Sequence, residues 1–124
     1  MNADSTGKIE IKERCYHFSV YLIKFLNTLP EKSINYSINN QLMRSGTSIG
    51  ANIVEAKSAS SRKDFIRYYE IALKSANETK YWLGLFKDAL SIDGKEIRWL
   101  IMETNELSNI IASSILSLKG KREF

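Results

Sequence analysis

One proline, one cysteine and one histidine stand among 124 residues, and each scarcity closes off a class of protein. A lone Cys15 cannot form an internal disulfide, and with only His17 beside it no Cys/His zinc site can be built. A single histidine also rules out the paired Glu-x-x-His motifs of di-metal bundles. Pro30 and six glycines leave little material for β-turns, so a mostly helical chain is the simpler reading. No apolar run reaches the roughly 18 residues that a membrane helix needs. Met1-Asn2-Ala3-Asp4-Ser5 lacks the basic and apolar regions of a signal peptide, and a cytoplasmic protein is the expectation. A single free thiol agrees with a reducing compartment.

Catalytic signatures are scarce as well. Neither a Gly-x-x-x-x-Gly-Lys phosphate loop nor a Gly-x-Gly-x-x-Gly fingerprint occurs. Cys15 and His17 are two residues apart, a spacing that points them in different directions on a helix. No catalytic residue, metal or cofactor is therefore expected. An enzyme would require several chains assembling a shared site.

What the chain does contain is helical periodicity. Its length suits one domain over residues 1–124, and its hydrophobic share of 44% is ordinary for a globular protein. Four stripes step by three and four residues, the seam period of bundle helices. The first, over 7–29, is Ile11, Cys15, Phe18, Leu22, Phe25 and Leu29; Pro30 ends it, because proline disfavours helical geometry in the residue before it. The second, over 34–57, is Ile38, Leu42, Ser45, Ile49, Asn52 and Ala56. This face is small and polar, and Gly46 and Gly50 within it cost up to ~1 kcal/mol each in helix propensity, which close approach of a neighbouring helix would offset. The third, over 62–90, is Phe65, Tyr69, Ala72, Ala76, Thr79, Leu83, Phe86 and Leu90, opened by a Ser61–Asp64 capping box. The fourth, over 94–118, is Ile97, Leu100, Thr104, Leu107, Ile111, Ser114 and Leu118, with Asp93 and Glu96 repeating the capping pattern and a frayed end from Lys119 to Phe124. The expected fold is all-α, an antiparallel up-down-up-down four-helix bundle. Helices three and four would pair Phe86 with Leu100 and Ala76 with Ile111. Helices two and three would pair Leu42 with Ala76, Ser45 with Ala72, and Ile49 with Tyr69.

Lys and Arg total 18 against 14 Asp and Glu, a mild surplus of +4 that permits attraction to nucleic acid or an acidic protein without establishing either. Lys57, Arg62, Lys63, Arg67 and Lys74 concentrate around the second loop and the start of the third helix. They read either as a solvated face, with Glu70 pairing Lys74, or as a phosphate contact that an oligomer would multiply. Tyr68, Tyr81, Trp82 and Trp99, with Tyr16, Val20 and Ile23, fall outside the primary stripes and suggest a subunit interface.

The run from Gln41 to Ala56 is the most distinctive. Gln41-Leu42-x-Arg44-Ser45, then Ser48-Ile49, then Asn52-Ile53-x-Glu55, followed by Lys63-Asp64-Phe65 and by Ile71-Ala72-x-Lys74-Ser75-Ala76-x-Glu78-Thr79, resembles a four-helix-bundle family often encoded within intervening sequences of 23S ribosomal RNA genes. The resemblance spans most of the chain. Two departures stand out: Gly50 where many members have proline, and Glu55-Ala56 where many have Glu-Gly. The resemblance implies a homo-oligomer, often a pentamer, in a family whose members mostly lack an established function. A related branch serves diversity-generating retroelements, which implies a reverse transcriptase and RNA or DNA as partners to test.

Gln41, Arg44, Ser45, Ser48, Asn52 and Glu55 have a structural reading, as a polar network beside the core, and a ligand-binding one. The hairpin pairing sets Arg44 near Glu70 or Lys74, Ser48 near Glu70, and Glu55 near Arg62 or Lys63. The function expected is a non-enzymatic, homo-oligomeric interaction module that binds nucleic acid or a nucleic-acid-processing enzyme through a basic surface. The alternative is a structural assembly protein with no nucleic-acid binding.

Overall fold

The structure, a computed structural model, describes residues 9–30 and 35–122, with side chains to residue 120. It holds four helices, α1 (Ile11–Thr28), α2 (Tyr36–Lys57), α3 (Arg62–Asp88) and α4 (Lys95–Arg122). The expected helix starts at residues 7 and 34 lie outside the described residues. α2 and α3 pack most closely, α1 packs on α2 and on α4, and α3 packs on α4; the α1–α4 seam is the sparsest.

The helix ends follow local chemistry. Asn35 caps α2 by accepting from the Ile38 amide at 3.2 Å. Ser61 caps α3 by accepting from the Asp64 amide at 3.1 Å, as the Ser-x-x-Asp spacing predicts. The second expected box does not form. Asp93 accepts instead from the adjacent Gly94 amide at 2.8 Å and from Arg98 at 3.1 Å, and α4 begins at Lys95. α4 also continues past the expected end at 118, and Lys119 there donates to Glu70 of α3 at 2.8 Å.

The core is one cluster fed by all four stripes. Cys15, Phe18, Leu22, Leu42, Ile49, Ala72, Ala76, Leu83, Phe86, Leu100, Leu107 and Ile111 are all fully buried. On α2 the stripe is displaced at one position: Ile53 is buried and Asn52 half-buried. Asn52 turns its amide back to the Ser48 carbonyl at 2.9 Å and hydroxyl at 3.0 Å, which satisfies a polar group at the seam's edge while Ile53 fills the interior.

Gly46 and Gly50 lie where α1 crosses α2. A Cβ at Gly46 would run into the Leu22 side chain, and one at Gly50 would stand 3.0 Å from the Cys15 Cβ. The propensity cost of both glycines is thus offset by close helix approach, and adjacent Ser45 is buried at 1% exposure.

The register of α2 against α3 is displaced from the expected one by between one and two helical turns along α3. Ser45 meets Thr79 rather than Ala72, with hydroxyls 3.0 Å apart. Ser48 meets Ser75 at 3.0 Å rather than Glu70. A seven-residue apolar repeat looks the same after a seven-residue slip, so the stripes alone cannot choose. The hydroxyl pairs can.

Candidate functional site

Two sets of residues carried functional expectations, and the structure puts them in different environments. The signature residues Gln41, Arg44, Ser45, Ser48 and Asn52 line the α2–α3 seam as a ladder of polar contacts. At its buried rung Thr79 donates to the Ser75 carbonyl at 2.7 Å and shares the 3.0 Å hydroxyl contact with Ser45, which itself reaches the Leu42 carbonyl at 3.4 Å. One turn on, Ser48 contacts both Ser75 and Asn52 at 3.0 Å. At the solvent edge the Arg44 guanidinium donates to Glu78 at 2.6 Å and to Gln41 at 2.7 Å, while the Trp82 indole N–H donates to the same Glu78 carboxylate at 2.9 Å.

This arrangement corrects three expected pairings. Arg44 engages Glu78, not Glu70 or Lys74, in line with the displaced register. Glu55 is exposed, and among the described residues it has no ion pair with Arg62 or Lys63. Glu70 pairs with Lys119 across α3 and α4, so Lys74 does not hold it. Ser75, Glu78, Thr79 and Trp82 belong to the ladder although none was singled out as a site residue. Their signal was present: Ser75, Glu78 and Thr79 sit in the downstream motif, and only the shifted register brings them opposite the α2 signature.

The five basic residues are all exposed. Lys57 holds its ammonium 5.8 Å from the centre of the Phe65 ring, and Arg67 lies 4.6 Å from that of Tyr68 while standing 3.7 Å from Asp64. Arg62 lines a cleft of about 340 Å³ with Ser60, Ser61, Phe65 and Leu118. Arg62, Lys63 and Lys74 make no ion pair among the described residues. Lys119, missed because α4 was expected to fray, joins this end of the molecule through Glu70.

The groups with perturbed acidity lie apart from the ladder, and one of them, Tyr69, stacks on Phe65. Burial pushes the Cys15 thiol up to about 12, with the Glu103 charge adding to the effect. Burial likewise raises Tyr69 above its ordinary value. A thiol held protonated is a poor nucleophile. His17 is exposed on the neighbouring turn surface. Glu103, only 10% exposed, accepts a two-pronged bond from Arg14 at 2.7 and 2.9 Å, which joins α1 to α4 and holds the guanidinium above its ordinary pKa. Among the described residues no three His, Cys, Asp or Glu side chains are grouped to hold a metal, and no helix is long and apolar enough to cross a membrane. A groove of about 560 Å³ runs between the end of α1 and the α3–α4 connection, lined by Tyr21, Phe25, Leu29 and Ile92 with Lys24 and Glu96. It touches neither the ladder nor the basic end.

Several aromatics expected outside the core are partly absorbed by it. The Trp99 ring centre lies 4.2 Å from that of Tyr21 and 6.4 Å from that of Phe18, and Trp82 is held by Glu78. Tyr16, Ile23 and Tyr81 remain exposed.

Comparison with known proteins now adds a family. No curated protein matches the chain. A solved structure from Bacteroides thetaiotaomicron, described as a protein with unknown function from the S23 ribosomal protein family, is 37% identical; the match covers 86% of this chain and 98% of that one, with a TM-score of 0.80. The family described as 23S rRNA-intervening sequence protein matches residues 7–113. With that match running from α1 into α4 and through the whole α2–α3 ladder, the chain belongs to the 23S rRNA-intervening sequence protein family.

Proposed function

We propose that this protein is a non-enzymatic, homo-oligomeric interaction module that contacts nucleic acid through the basic end formed by the α2–α3 loop and the start of α3. The reading takes the helices as an antiparallel up-down-up-down bundle, a direction supported by the descending pairs Arg44–Glu78, Ser45–Thr79 and Ser48–Ser75. One observation carries it: Lys57, Arg62, Lys63, Arg67 and Lys74 stay exposed, and Arg62, Lys63 and Lys74 are not used in ion pairs among the described residues. Phosphates are bound by cations in this state, and affinity then falls steeply with salt. Lys57 lies over the Phe65 ring and Arg67 over the Tyr68 ring, so cations and aromatics share this end.

The signature residues belong, in this reading, to folding. The polar atoms of Gln41, Arg44, Ser45, Ser48 and Asn52 are bonded to one another or across the seam to α3. A cytoplasmic setting fits both the lone thiol and the proposed partner.

Titration of a fluorescent single-stranded RNA and its DNA equivalent at low and moderate salt tests the proposal. Binding should weaken as salt rises, and Lys63→Glu with Arg67→Glu should weaken it at every salt concentration and flatten the slope. Absence of binding at low salt would leave the second reading, a structural assembly protein whose cations serve solubility.

A further inference from the structure

We propose that the groove between the end of α1 and the α3–α4 connection binds a small zwitterion, a free α-amino acid with a large apolar side chain. The floor of the groove is apolar. Phe25 is 8% exposed, and Tyr21, Leu29 and Ile92 are half-buried around it. The rim carries four exposed polar side chains, Lys24 and Thr28 from α1 and Asp93 and Glu96 from the other wall. Two of the four are already engaged. The Thr28 hydroxyl donates to the Phe25 carbonyl at 2.7 Å, and Asp93 accepts from the Gly94 amide and from Arg98. Lys24 and Glu96 are left. They carry opposite charges on the two walls of one groove, yet neither has an ion pair among the described residues.

The volume of about 560 Å³ falls within the roughly 300–1,000 Å³ of small-molecule sites, which join a mostly apolar lining to a few polar groups that fix orientation. The walls are held in place by the fold. Ser91 turns the chain with a φ of 55°, the Ile92 amide donates to the Phe86 carbonyl at 3.0 Å, and the Tyr21 ring packs on Trp99. Charge complementarity selects the occupant. A simple cation would be repelled by Lys24, a simple anion by Glu96, and an uncharged apolar molecule would use neither. A zwitterionic head uses both, its carboxylate toward the Lys24 ammonium and its ammonium toward the Glu96 carboxylate, while its side chain lies on the apolar floor. A residue within a peptide has lost both of those charges to amide bonds, so the free amino acid is the form that fits. Most of the affinity would come from the floor, because charge pairs at an exposed rim contribute little each.

The groove is separate from the basic end, so this inference does not depend on nucleic-acid binding. Titration of the full chain with L-phenylalanine, followed by amide chemical shifts, tests it. Phenethylamine, 3-phenylpropionate and glycine serve as probes that lack the carboxylate, the ammonium and the apolar side chain. Phenylalanine should bind with a Kd of about 1 mM or tighter, as a ligand of about a dozen non-hydrogen atoms can, and should shift amides of Tyr21, Phe25, Leu29 and Ile92. Phenethylamine and 3-phenylpropionate should each bind about threefold more weakly, the loss of one rim pair, and glycine should not bind measurably. Lys24→Met should weaken phenylalanine by a similar factor without weakening phenethylamine, and Glu96→Gln should do the same with 3-phenylpropionate unweakened. The probe series on the wild type needs no variant, so it decides the matter even if a substitution disturbs the fold. Phenethylamine or 3-phenylpropionate binding as tightly as phenylalanine would overturn the zwitterionic head. No shift at about 10 mM phenylalanine, tenfold above the expected Kd, would overturn the site itself.

Discussion

On its α1 side α2 presents Gly46 and Gly50; on its α3 side, a few residues away, it presents Arg44, Ser45 and Ser48. The first seam is made by removing side chains until Leu22 and Cys15 fit against bare backbone. The second is made by pairing hydroxyls and charges. A glycine contact fixes distance, because it is a matter of volume. It does little to choose among registers, since neighbouring small residues would serve as well. A hydroxyl pair is directional, so a slip of the helices loses the cross-helix bond, although Thr79 and Ser45 keep the carbonyls of their own helices. One helix thus sets spacing on one flank and register on the other.

Changes to either flank should have separable signatures. The largest belongs to the glycine seam. Gly46→Val places a branched side chain into Leu22 and should cost about 3 kcal/mol in denaturant unfolding, against the propensity gain of leaving glycine. Adding Leu22→Ala should recover part of the loss, and a Gly46→Val protein as stable as wild type would show that the two helices are not held at close range. The next effect is on the same seam and depends on pH. Cys15 lies against Gly50, and burial pushes its thiol up to about 12 in the folded chain from an ordinary value of 9.0. Because the folded value is the higher one, its contribution is fully present below pH 9 and is lost as pH rises from 9 towards 12, at up to about 1.4 kcal/mol per pH unit. Tyr69 pulls in the same direction. Cys15→Ala should flatten the decline in that window, whatever its effect at pH 7; an unchanged slope would mean the thiol is not shielded as described.

Smaller effects are expected from the hydroxyl seam. Thr79→Val keeps the volume and removes the bond to Ser45, and should cost about 1 kcal/mol. Pairing it with Ser45→Ala should cost less than the sum of the two single changes, which a double-mutant cycle by urea unfolding would read directly. The smallest change is Arg44→Ala. Its partner Glu78 is 37% exposed and Arg44 itself 63%, so the loss should stay below about 1 kcal/mol and shrink in high salt.

The same contrast explains what could be read from the amino-acid order. The four stripes were legible because apolar side chains at steps of three and four have one common use, and Phe18, Leu42, Ala76 and Ile111 are buried as that pattern requires. The close approach at Gly46 was legible for a similar reason: a glycine inside a helix calls for compensation. Register was not legible from the stripes, which repeat every heptad. It was present in the pairing of two distant motifs, since Ser45 opposite Thr79 and Ser48 opposite Ser75 satisfy every hydroxyl at once. The Arg14–Glu103 pair was missed because a charge beside a stripe reads as solvated until its partner on α4 is known. Lys119 was missed because the end of α4 is held by a contact to Glu70, and nothing in the local order announces it. Candidate function was the least legible. Exposed cations on α3 look the same whether they serve solubility or a phosphate.

The account turns on the α2–α3 ladder being a device for register while contacts with partners lie elsewhere on the surface. Arg44→Ala, Ser48→Ala and Asn52→Ala combined in one chain test that division, with thermal unfolding and RNA titration performed on the same preparation. The account predicts a melting temperature several degrees lower and RNA binding within twofold of wild type. Unaltered melting with binding abolished would contradict it, and would make the signature a ligand site.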